Sequence, residues 1–212
     1  MIHYIYADQL KNFPVLADSM FKDRAYQFKD RHNWDVNVNE NGHEIDQYDA
    51  MNPLYVIWQN EDGTHGGSIR IMPTVGQIMT NDYFSHLTDG VKISSPVIWE
   101  CTRFCLAPGA GPNVAAALLA AGLELGIRFG LDQAIGVIYT RTHAIYRRIG
   151  WVPEIIGTDG DDREAISIGV WDISTEARDE LCRKSGISAD DMAYWFDASF
   201  NANFNDESLA AA

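Results

Sequence analysis

The sequence predicts an α/β fold in one domain spanning residues 1–212, and three observations predict it. Two β-rich runs, LYVIWQ (54–59) and GGSIRIM (66–72), flank the turn-forming NEDGTH and read as a hairpin. A third run, PVIWECTRFCL (96–106), passes through APGAGPN into a long apolar stretch of helical character. A chain of 212 residues with 46% hydrophobic content can close one sizeable core and is short for two.

Taken in order, residues 3–7 (HYIYA) alternate and suit either a short edge strand or the lead-in to a helix. From about Phe13 the period is helical, and Ala17, Phe21, Arg24 and Phe28 fall on one face. That face is apolar except for Arg24, whose guanidinium needs a carboxylate or a ligand to be tolerated there. Residues 30–52 carry few periodic apolar positions and form a long loop anchored by Trp34 and Tyr48, a length that favours a functional loop. After the hairpin and the 96–106 strand, Pro112 suits the first turn of a helix over about 113–129, with Val114, Leu118, Ala121, Leu125 and Phe129 on its buried face. A strand at 134–140, a helix at 143–150 ending on Gly150, and two runs flanking the turn GTDGDD follow. From Ser174 the chain is helical in two pieces, with a flexible acidic tail expected at about 200–212. There is no internal repeat.

Composition excludes several classes. A net charge of −14 argues against a general nucleic-acid binder. Three cysteines at 101, 105 and 182 fit neither an even disulfide set nor a CxxC metal spacing, and the six histidines show no ligand spacing, so no metal is expected. The N-terminal dozen residues lack the basic head and apolar stretch of a secretory signal. The longest apolar run, VAAALLAAGLELGI, is shorter than a bilayer span and carries Glu124, so a soluble cytoplasmic protein without a membrane partner is expected.

Taken singly, Arg24, Arg70, Glu100 and Arg103 read best as structural ion pairs, and Phe28 and Trp34 equally well as core aromatics or ligand contacts. Their joint order carries more. RAYQFKDRHNW, EIDQYD, GGSIRIMPT and WECTRF succeed one another, giving an Arg and a Phe four apart (Arg24, Phe28) and a Trp six later (Trp34). Then come two Asp three apart (Asp46, Asp49), an Arg in a strand (Arg70), and a Glu and an Arg three apart (Glu100, Arg103). This pattern resembles the autoinducer synthases that make acyl-homoserine lactones. Phe84 matches a further aromatic position. The resemblance covers roughly residues 1–150; Thr102 stands where relatives often carry Ser, and Gln77 where a Pro is common.

The resemblance implies an αβα sandwich with a mixed, mostly antiparallel sheet, like that of GNAT-type acetyltransferases. It implies transfer of an acyl group from acyl-carrier protein or acyl-CoA to the amine of S-adenosylmethionine, a substrate and not a cofactor, followed by lactonisation and release of methylthioadenosine. It implies Glu100 as the base, with Thr102 and Arg103 beside it in the catalytic set, and Arg24, Phe28, Trp34, Asp46, Asp49, Arg70, Phe84 and Phe104 in substrate binding. A strict period of two would put Glu100, Thr102 and Phe104 on one face of their strand and Arg103 on the other; a bulge, or a strand that borders the site on two sides, would reconcile them. Phe28 and Trp34 suit a sulfonium through cation–π contact. The loop APGAGPN, at a helix N-terminus, suits a pantetheine phosphate. Arg141, Arg147 and Arg148 form a basic cluster on an acidic protein and suit docking of an acidic acyl carrier. Counting back from RRIGW places Gly136 where relatives that take 3-oxo chains carry Thr, which leans toward unsubstituted acyl groups. Two other classes compete: a GNAT-like N-acyltransferase acting on another amine, which leaves Arg24, Trp34, Asp46 and Asp49 without a reason, and a non-catalytic ligand-binding module, which needs no base.

Overall fold

The computed structural model describes residues 1–210, without the side chains of 202–210; the last two residues of the acidic tail expected at 200–212 lie outside the described residues. Seven strands form one sheet: β1 (Ile2–Tyr6), β2 (Leu54–Gln59), β3 (His65–Pro73), β4 (Ile98–Leu106), β5 (Gln133–Tyr139), β6 (Glu154–Asp159) and β7 (Ile166–Asp172). Their order is β1-β2-β3-β4-β5-β7-β6, and every neighbouring pair is antiparallel except β4 with β5. Residues 3–6 thus belong to an edge strand, with Ala7 opening a 3-10 helix, and the hairpin of β2 and β3 stands as expected.

Helices cover both faces, giving the αβα sandwich. The alternation of each strand sorts its side chains between them. Ile5, Tyr55 and Ile57 pack with Leu10, Leu16 and Met20 under helix α1 (Pro14–Ala25). Ile2, Tyr4, Leu54, Val56, Ile69 and Ile71 face the opposite layer. That layer holds α3 (Val114–Phe129), α5 (Thr175–Ser185) and α6 (Ala189–Ala210), while two short helices, α2 (Met79–Tyr83) and α4 (His143–Ile149), lie in the connections. No described helix is long and apolar enough to cross a membrane.

The helix termini follow local chemistry. Ser174 accepts from the Ala177 amide at the start of α5, and Gly130, at φ +67°, ends α3 in a left-handed conformation that a Cβ disfavours. Three expectations are corrected. Pro112 lies two residues before α3, whose N-cap is Asn113, because the 107–112 segment is already occupied by turns. Phe129 is 36% exposed, since it sits in the last turn and edges onto Trp99 and Phe196. On α1 the fully buried stripe is Leu16, Met20 and Arg24, with Ala17 and Phe21 half-buried at its border. Beyond Ala25 the helix widens into a π-helical turn over Tyr26–Arg31, which carries Phe28 inward.

α1 is pinned to β3 through a polar chain that starts at the half-buried Asp23. Asp23 Oδ2 lies 2.7 Å from His65 Nδ1, and His65 Nε2 lies 3.0 Å from Ser68 Oγ. His65 and Ser68 are buried.

A candidate acyltransferase site at the fork of β4 and β5

The site begins with a backbone irregularity. Along β3 and β4 the register steps from Ser68↔Cys105 to Arg70↔Thr102, so Arg103 and Phe104 together oppose the single residue Ile69. Of the two arrangements open from the sequence this is the bulge, and Arg103 takes φ +51°, a conformation that costs a non-glycine residue roughly 1–3 kcal/mol. The extra residue turns Arg103 to the side that holds Glu100 and Thr102. It moves Phe104, expected beside them, toward the α3 layer, where it packs on the core.

On that side three guanidinium groups meet three carboxylates. Arg24, 1% exposed, donates from Nε to Glu44 Oε2 at 2.7 Å and from Nη1 and Nη2 to the two oxygens of Asp49 at 3.0 and 2.9 Å. Arg70 donates from Nε to Thr102 Oγ1 at 3.0 Å, from Nη2 to Asp46 Oδ2 at 2.9 Å, and from Nη1 to Asp49 Oδ1 at 2.9 Å. Arg103 reaches Glu44 Oε1 from Nε at 3.1 Å and Asp46 Oδ2 from Nη2 at 2.8 Å. The formal charges cancel, which is what lets so many ionised groups be buried together. Each guanidinium also lies over a ring: Arg24 over Phe21, Arg70 over Tyr48 and Arg103 over Phe28, at 5.1, 5.3 and 5.3 Å to the centroids.

This network orders the long 32–53 loop. Asp46 accepts from the Tyr48 amide at 2.9 Å, and Asp49 accepts from the Asp46 amide at 2.8 Å, so the EIDQYD segment is folded around its own carboxylates. Burial pushes the Asp49 carboxyl up, but Arg24 and then Arg70 more than offset this and hold it well below the usual carboxylate range.

Glu100 is 1% exposed and stands apart from the arginines. Its oxygens accept from the amides of Thr80 (2.7 Å) and Met79 (3.1 Å), capping the first turn of α2. Burial raises its pKa, partly offset by those hydrogen bonds.

Above the network opens a cavity of about 1140 Å³. Phe28, Trp34, Glu44, Asp46, Phe84, Thr102, Arg103 and Phe104 line it; Arg24, Asp49, Arg70 and Glu100 lie beneath or behind it and do not. Phe28 and Trp34 stack at 5.0 Å and 9°, and Trp34 Nε1 donates to Tyr139 Oη at 2.7 Å across the fork. The fork exists because β4 and β5 pair only from Ile98↔Gln133 to Glu100↔Ile135 and then diverge. Gly136 stands where they part, at a point where a Cβ would come within 2.9 Å of the Cys101 carbonyl. Through this gap the cavity continues to Leu119 and Gly122 of α3 and to Trp171 and Ile173.

The basic cluster divides. Arg141 lines the cavity, lies 4.1 Å over the Tyr139 ring and pairs with Glu164, whereas Arg147 and Arg148 sit on the solvent face of α4. Loop 107–113 contributes nothing to the cavity wall. Among the described residues no group of three His, Cys, Asp or Glu is placed to hold a metal ion. Glu44 is the residue that sequence reasoning missed. It is fully buried and bridges Arg24 to Arg103, and the signal lay at the head of EIDQYD, two residues before Asp46.

A sheet that forks beside a charged, aromatic cavity defines an acyltransferase of the GNAT-like fold, and the comparisons agree. Residues 9–181 match the sequence model of the family described as autoinducer synthase. An acyl-homoserine-lactone synthase of Rhizobium etli is 36% identical over 183 residues, 83% of this chain and 86% of that one. The structure of a CoA-dependent acyl-homoserine lactone synthase superimposes with a TM-score of 0.78 at 26% identity, covering 89% of this chain and 97% of the other. An acyl-CoA N-acyltransferase from Pseudomonas aeruginosa shares the fold alone, at a TM-score of 0.54 and 14% identity over 80% of this chain and 97% of its own. The chain belongs to the autoinducer synthase family and is an acyltransferase of the acyl-homoserine-lactone synthase type.

Proposed function

We propose that S-adenosylmethionine binds over the arginine–carboxylate network and that the acyl thioester enters through the fork between β4 and β5. The observation that carries this is the convergence of Arg24, Glu44, Asp46, Asp49, Arg70 and Arg103 beneath a cavity that runs through the fork to apolar residues on the far side. Residues 1–212 act as one catalytic domain in this reading, since all seven strands share one sheet.

The amine must lose a proton before it attacks the thioester carbonyl. Glu44, Asp46 and Asp49 are each paired to two arginines, so their oxygens are already engaged. Glu100 has no arginine in direct contact and a pKa raised by burial, so it is the proton acceptor, reached through an intervening water because it sits behind the cavity wall. Thr102 positions Arg70 through its hydroxyl, and Arg103 orients the donor with Asp46. Trp34 offers its ring to the sulfonium. Phe28 is already engaged by Arg103 and Trp34, so it supports that ring and does not act as a second cation seat. Phe84 and Phe104 wall the cavity. After the amide forms, the methionyl carboxylate displaces methylthioadenosine, an intramolecular closure that proximity suffices to drive.

The donor is acyl-carrier protein or acyl-CoA. Arg147 and Arg148, exposed on α4 next to the fork, are the carrier's docking residues, and Arg141 sits at the cavity itself. The free cysteines fit a cytoplasmic location, where these substrates occur. The test is to combine purified protein with S-adenosylmethionine and an acyl thioester and follow lactone and methylthioadenosine by mass spectrometry. Both products should appear in equal amounts; an acylated amine without methylthioadenosine would contradict the reading.

A further inference from the structure

From Ala116 to Gly126 every residue of α3 is buried except Gly122. A glycine in a helix interior is destabilising relative to alanine, so its presence calls for a reason. Gly126, one turn on, has one: a Cβ there would lie 3.0 Å from the Ile173 side chain. Gly122 has no such neighbour, since a Cβ would meet nothing within 4 Å. The space left by its missing side chain belongs to the cavity, which reaches Gly122 after passing the fork at Gly136 and is walled there by Leu119, Ala134, Trp171 and Ile173. These four side chains carry no formal charge, whereas the charged network lies at the opposite end.

We propose that Gly122 sets the acyl-chain length of this enzyme: the void above it receives the methyl end of a long, linear acyl chain, and any side chain at 122 shortens the chain accepted. The inference rests on the acyl path proposed above and adds its terminus. Chain-length discrimination by a pocket floor is a differential effect, in which a methylene that no longer fits costs about 10- to 200-fold in relative rate.

The experiment gives the enzyme S-adenosylmethionine with an equimolar mixture of butanoyl and dodecanoyl thioesters and reads the ratio of the two lactones, for the native chain, Gly122→Ala and Gly122→Leu. The native chain should make dodecanoyl lactone at least as readily as butanoyl lactone. The ratio should fall in Gly122→Leu by about tenfold or more, with Gly122→Ala between the two. Gly122→Ala should also melt higher, because its methyl enters open space and improves the helix; should Gly122→Leu not fold, the alanine ratio decides alone. An unchanged ratio across the variants, or a native enzyme that makes butanoyl lactone but no dodecanoyl lactone, would overturn the assignment of Gly122 and leave the synthase reading standing. A native enzyme that makes no lactone from either donor would overturn both.

Discussion

Arg103 and Glu44 lie 59 residues apart in sequence and meet at 3.1 Å (Nε to Oε1), joining the bulge of β4 to the loop that follows the π-helical turn. Arg103 makes the contact from a left-handed backbone, and Glu44 spends its other oxygen on Arg24. One fully buried carboxylate thus ties α1, the 32–53 loop and the central sheet together.

Removing that carboxylate leaves the network one negative charge short, with Arg24 and Arg103 each down to a single acidic partner. Glu44→Ala should lower unfolding free energy by about 3–5 kcal/mol, the scale of breaking a buried pair from one side, and urea denaturation would measure it. A loss below about 1 kcal/mol would place Glu44 with ordinary surface pairs.

Stability should fall toward acid along a line set by Asp49. Its folded pKa is depressed, so its contribution is complete above the unfolded value of roughly 4 and is lost as pH falls through the folded value. Denaturant midpoints taken as pH is lowered should show the native chain losing stability across this window. Asp49→Asn should start lower at neutral pH, because it leaves Arg24 and Arg70 short of charge, and fall less steeply.

Much of this site was legible in the sequence, and the reasons for the rest are physical. Arg24 stood out because a charge on an otherwise apolar helical face must be neutralised, and Asp46, Asp49, Arg70 and Arg103 through the joint order that carries the family resemblance; the structure pairs all five with one another or through Glu44. The conflict between Arg103 and a strict period of two left a bulge or a two-sided strand open, and which of them forms, with Phe104 as the residue displaced, depended on register with β3. Glu44 was hidden because its partners lie 20 and 59 residues away, beyond any local pattern. The basic cluster at 141–148 read as one feature, yet helix geometry divides it between cavity and solvent.

Glu100→Gln should lower turnover by roughly 10² or more, as for a lost general base. Because burial raises the Glu100 pKa and the active form is the carboxylate, activity of the native enzyme should fall with decreasing pH at a point above the ordinary glutamate value of 4.5, and this limb should vanish in the variant. A retained limb would move the base elsewhere.

Reversing charge at the docking face separates the two donors. Arg147→Glu with Arg148→Glu should raise KM for an acyl-carrier protein about tenfold or more at low salt, less at high salt, while acyl-CoA is used as before. Equal loss with both donors would show that α4 acts on the cavity and not on the carrier.

The central claim, that the methionine donor lies against Trp34 over the arginine–carboxylate network, is tested most directly by calorimetric titration of S-adenosylmethionine into the native chain and Trp34→Ala. The sulfonium–ring contact contributes about 0.5–2 kcal/mol, so Kd should rise by roughly 2- to 30-fold while the melting temperature changes little. An unchanged Kd in a folded Trp34→Ala protein would contradict it.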